Sequence, residues 1–140
     1  KWSYNNVGFA LAARVCEQLT GKTFEQLLQD EHTALIVSTD FSHYLGLAQA
    51  ELRDVDTRKV LCSRVLSRIR ALDNPSQSDC PLCVWVATTL GASKGTPHPY
   101  IFAHTNSATL LRDVTAQETT SHFGVIYSAT ADKKSCPEEE

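Results

Sequence analysis

Apolar residues recur at helical spacing from Val7 to Leu19, with Val7, Leu11, Val15, Cys16 and Leu19 on one side. Gly21 stands where a left-handed residue would stop that helix. Thr23 opens a second short helix: Gln26 completes a capping box, and Phe24, Leu27 and Leu28 form its apolar side. The period changes after Glu31-His32. Ala34-Leu-Ile-Val-Ser38 has no polar interruption, which predicts a strand covered on both faces, and polar residues follow from Thr39 to His43. A long helix is expected from about Ala48 to Leu72 on Leu52, Val55, Cys62, Val65, Leu66, Ile69 and Leu72, broken by Asp73-Asn74-Pro75. Cys80 to Leu90 reads as a buried helix stopping at Gly91, and Gly95, Pro97 and Pro99 as a loop. Tyr100–Ala103 and Phe123–Ala129 are predicted as two further strands, and the tail from Lys133 as disordered and solvating.

Helices interleaved with short strands predict an α/β chain. The length of 140 residues fits one ordinary domain, and 42% hydrophobic with 21% charged residues is a globular mixture. No apolar run approaches the roughly 20 residues a membrane-spanning helix needs, so no membrane partner is expected. A net charge of −3 with scattered cations provides no field for nucleic acid, and none is expected as a partner. The chain begins at Lys1 and has no methionine, which points to a longer parent or a lost start. Five cysteines at irregular spacing, without an export signal, lead us to expect reduced thiols and a cytoplasmic location.

Two places carry candidate chemistry. Residues just past a strand's carboxyl end face the crevice where α/β sheets bind ligands. Asp40, Ser42 and His43 stand there, and they fit an acid/base or ligand group, because a carboxylate can fix the tautomer of an imidazole that titrates near neutrality. The plainer alternative is that Asp40 and Ser42 cap a turn under which His43 packs. Cys80 and Cys83 form a Cys-x-x-Cys, a spacing shared by zinc knuckles, redox pairs and pairs of small buried hydrophobes. A structural zinc needs four ligands, and no second Cys-x-x-Cys supplies them. His98, His104 and His122 lie in or beside loops and read as surface or strand-end packing, and Trp2 and Trp85 as core or edge aromatics.

From Thr33 onward the chain resembles the Memo family, including the AmmeMemoRadiSam system protein B group. Leu35-Ile-Val-Ser-Thr-Asp-Phe-Ser-His-Tyr44 is similar to that family's strand ending in Ser-Ser-Asp-(Phe/Leu)-Ser-His-Tyr. The Asp54/Asp56 region, with the helix ending Ala-Leu-Asp73, resembles the family's next segment, and Cys80 stands at its Cys-Gly motif with Pro81 in place of the glycine. Asn106-Ser-Ala108 and Phe123-Gly-Val-Ile-Tyr127 resemble its later steps. The resemblance implies the C-terminal half of a three-layer α/β/α domain with a mixed sheet, similar to the extradiol dioxygenases, over residues 32–132. It also implies a cleft binding a small molecule, a peptide or a transition metal (iron or copper), with redox or dioxygenase-like chemistry. His43 and Asp40 would act in that cleft and Cys80 would bind the metal. The family's histidine motifs do not precede Thr33, so the site is expected to be incomplete and its metal binding weak or absent.

Residues 1–31 resemble something else. Trp2-Ser-Tyr-Asn-Asn-Val-Gly-Phe9 and Leu19-Thr-Gly-Lys-Thr-Phe24 are similar to the Tyr-Ser-Asn-x-Gly-Tyr segment of serine β-lactamase-like hydrolases, with Tyr4 and Asn6 at the Tyr-x-Asn step. The Ser-x-x-Lys that supplies the nucleophile is not found. The sequence is thus expected to hold a helical segment (1–31), a Memo-like segment (32–132) and an acidic tail (133–140), with a junction near His32. The alternatives are a remnant of a serine hydrolase and a noncatalytic interaction fragment.

Overall fold

The computed structural model describes residues 14–29, 34–93, 99–127 and 136. Expectations for Trp2, Tyr4, Asn6, the helix start at Val7, the junction at His32, the loop around Gly95 and Pro97, His98 and most of the tail lie outside the described residues. The chain divides into two compact units, Lys1–Ile36 and Val37–Glu140.

In the first unit residues 14–20 are helical, and Gly21 adopts φ +67° while its N–H reaches the Glu17 carbonyl at 2.9 Å. The lack of a Cβ makes that left-handed turn accessible. The next helix, α1 (Phe24–Gln29), opens with the expected capping box: Thr23 N–H donates to Gln26 Oε1 at 2.8 Å and Gln26 N–H to Thr23 Oγ1 at 3.2 Å. Arg14 and the Phe24 amide both donate to the Glu17 carboxylate, at 2.7 and 3.0 Å, and hold its pKa below the usual value.

The second unit contains β1 (Phe41–Leu45), α2 (Leu47–Ser63), α3 (Leu66–Arg70), α4 (Pro81–Ser93), β2 (Tyr100–Asn106), α5 (Ser107–Leu111) and β3 (Thr119–Ile126). Its class is α/β. The strand order is β1-β3-β2, and both pairings are antiparallel, so among the described residues the sheet is not mixed as expected. Helices α2 to α4 carry the chain from β1 to β2, which run in the same sense, but β3 lies between them and no parallel ladder forms. The short turn through α5 returns the chain directly alongside β2 and produces the antiparallel pair.

The core is Phe41, Leu61, Ile69, Leu72, Val84 and Ile101, with Trp85, Phe123 and Val125 packed against it. Phe41 meets Phe123 edge-on at 5.0 Å between ring centroids. Helices α3 and α4 pack on each other, and α2 packs on β1 and β3.

Several expectations differ from what is observed. The apolar run 34–38 is not a strand; Ile36 is 89% exposed, and the strand starts at Phe41 instead. The expected helix from Ala48 to Leu72 is two helices, because Arg64 takes φ +58° and ends α2. Four of the five cysteines are bridged, Cys62 to Cys136 and Cys80 to Cys83, which corrects the expectation of reduced thiols; Cys16 is free and exposed. Cys136, within the tail expected to be disordered, is buried.

Candidate functional site

The Asp40–Tyr44 motif forms an irregular strand. Between Phe41 and Leu45 the register against β3 moves only from Ser121 to Thr119, so β1 carries extra residues there. Ser42 (φ +42°) and Tyr44 (φ +60°) absorb them in left-handed conformations, which L residues adopt at a cost of about 1–3 kcal/mol each. The side chains therefore depart from simple alternation. Ser42 turns fully inward, and His43 reaches Thr120, its Nδ1 2.7 Å from the threonine hydroxyl and its ring 3.6 Å from that of Tyr44.

The other edge of this motif meets the loop before α4. Ser42 N–H donates to the Gln77 carbonyl and His43 N–H to the Pro75 carbonyl, while Phe41 bridges Ser78. Asp79 N–H donates to the Asp40 carbonyl at 3.0 Å, and Asp40 N–H returns a bond to Asp79 Oδ1 at 2.9 Å. The Thr39 hydroxyl also donates to Asp79 Oδ1. The loop enters this pairing through a cis Asn74–Pro75 peptide and leaves it one residue before Cys80. Asp40 and Cys80 are thus delivered to the same end of a short ladder.

Two sequence-predicted partners are not joined. Among the described residues no hydrogen bond or ring contact links His43 with Cys80, whose sulfur is bonded to Cys83. No three His, Cys, Asp or Glu side chains among the described residues converge in a way that could hold a metal ion. In this oxidised form Cys80 offers no thiolate to the metal implied by the resemblance. A hollow in the first unit, lined by Arg14, Glu17, Gln18, Gly21, Lys22 and Thr23, includes none of the expected site residues.

Behind β1 lies a polar cluster that motif reading did not assemble. Asp54, on α2 and only 3% exposed, accepts the Ser42 hydroxyl on Oδ1 and the Ser121 hydroxyl on Oδ2, both at 2.6 Å. His104 Nε2 lies 2.7 Å from Oδ2, with its ring stacked on Phe123 at 4.4 Å. A buried carboxylate is tolerated only where donors replace its lost water, and three converge here from all three strands. Asn106 extends the cluster by donating to Thr119 and Ser121, each at 3.0 Å, while its Oδ1 caps α5 at the Ala108 amide. This cluster ties the sheet to α2 and holds Ser42 and its strained strand in place. His98 lies outside the described residues, and no described contact involves the side chain of His122.

Among the described residues no helix is long and apolar enough to cross a membrane. No family model, no curated protein and no solved structure matches the chain.

Proposed function

We propose that residues 32–132 are a Memo-like segment that supplies one wall of a ligand cleft, with Asp40, His43 and Cys80 as its polar groups. The observation that carries this reading is the ladder between Asp40–His43 and Pro75–Asp79, which sets Asp40 beside the residue preceding Cys80. The two left-handed residues inside the motif support it as well, since strained backbone concentrates at functional sites. Asp40 and His43 are read as polar or acid/base groups facing a small molecule or peptide. Cys80 becomes a candidate ligand for iron or copper only as a free thiol, and on the cytosolic location we propose, cellular thiols would keep it so. No catalytic step is assigned, because His43 and Cys80 alone do not complete a metal site.

The test is titration of the reduced full chain with iron(II) and copper, comparing wild type with Cys80→Ala. Weak binding, weakened further in the variant, is the expected result. Identical binding by both would remove Cys80 from the cleft. Tight one-to-one binding by the wild type would show the site to be complete and the reading of a single wall to be wrong.

A further inference from the structure

Cys80 and Cys83 differ from the other bridged pair in the length of chain they enclose and in having no fully buried member. They are three residues apart with a Cα–Cα distance of 5.3 Å, and they lie at the start of α4. The backbone of this turn is held without the sulfurs: the Cys83 and Val84 amides donate to the Cys80 carbonyl at 3.0 and 3.3 Å, and the Cys80 amide donates to Ser78 Oγ at 3.2 Å. Both cysteines are half-buried, and Leu82 between them is 60% exposed, so the turn faces solvent. Cys62 and Cys136 are 74 residues apart, with Cys62 packed on the core and Cys136 buried. Opening the first pair frees no loop and leaves both thiols in one turn. Opening the second releases a long loop, a far larger gain in chain freedom.

We propose that Cys80 and Cys83 form a reversible dithiol–disulfide couple that exchanges with low-molecular-weight monothiols and their disulfides, while Cys62–Cys136 is a fixed structural bridge. The thiolate of the monothiol attacks one sulfur of the Cys80–Cys83 bond and forms a mixed disulfide, and the displaced cysteine thiolate takes up a proton. A second monothiol attacks the mixed disulfide and leaves as the small-molecule disulfide, and the remaining cysteine is protonated. Two monothiols are oxidised, the protein disulfide is reduced by two electrons, and the reverse sequence closes it. This couple does not depend on the metal reading, since it needs neither a metal nor the other cleft residues.

The test uses the full chain carrying Cys16→Ser, which removes the exposed free thiol. It is equilibrated in buffers of reduced and oxidised glutathione, trapped by alkylation, and mapped by peptide mass. The ratio of reduced to oxidised Cys80/Cys83 is expected to rise about tenfold for each tenfold rise in [GSH]²/[GSSG], as a two-electron exchange requires. Cys62–Cys136 and the far-ultraviolet circular dichroism should stay unchanged across that range. A further Cys83→Ser change should leave one glutathione on Cys80. The proposal fails if Cys80–Cys83 does not respond, or if it opens only together with Cys62–Cys136 and with loss of helical signal.

Discussion

At the scale of single residues, two buried polar side chains one helical turn apart on α2 have opposite expected roles. Asp54 receives three donors, whereas the hydroxyl of Thr57 is fully buried and has no partner among the described residues. Removing the Asp54 carboxylate strands the buried Ser42 and Ser121 hydroxyls at about 1–3 kcal/mol each, while the more exposed His104 can turn to water. Asp54→Ala is therefore expected to lower stability by roughly 3–5 kcal/mol in urea unfolding. Asp54→Asn should lose less, since its oxygen still accepts and a serine hydroxyl can turn to accept from its amide. Thr57→Val keeps the shape and removes the unpaired hydroxyl, so it should be neutral or stabilising by up to about 1 kcal/mol. Equal losses in Asp54→Ala and Thr57→Val would mean that the hydrogen bonds contribute nothing beyond packing. The sequence displays little of this difference: an aspartate and a threonine on a helix both read as solvent-facing until Ser42, Ser121 and His104 arrive from three strands.

At the scale of elements, what could be read in advance follows the range of the forces involved. The Thr23–Gln26 capping box and the stop at Gly21 depend on neighbours within four residues, and both stand where the sequence puts them. The helix after Cys80 was legible as an apolar run, although it continues through Gly91 to Ser93. The first strand was not legible. Ala34–Ser38 has the better strand composition, yet Phe41–Leu45 is paired, because Phe41 completes the core and Ser42 fills the Asp54 cluster. Long-range satisfaction of polar groups outweighed local propensity there. Arg64 gives no glycine or proline signal for the break between α2 and α3; the Ser63 hydroxyl bonded to the Val60 carbonyl marks it only in the fold. Of the candidate site, the ladder that sets Asp40 beside Asp79 is unreadable because it joins the start of β1 to a loop some forty positions away.

At the scale of the whole second unit, one covalent link ties α2 to the chain's tail. The bond from Cys62 to Cys136 restricts the unfolded chain over a separation of 74 residues, and it stabilises mainly by that restriction. Cys62→Ser is accordingly expected to lower unfolding free energy by about 2–4 kcal/mol in denaturant titration of the oxidised protein. A freed denatured chain also exposes more surface, so the dependence on denaturant should steepen in the variant. Strong reductant should bring the wild type down to the variant's curve and leave the variant's midpoint almost unmoved, since Cys80–Cys83 spans a single turn. A midpoint lower in Cys62→Ser without the steeper slope would place the loss in native packing around Cys62, which borders the core. Coincident curves for oxidised wild type and variant would mean that the bridge does not constrain the chain in solution, and the contrast between a fixed and an exchanging pair would lose its structural half.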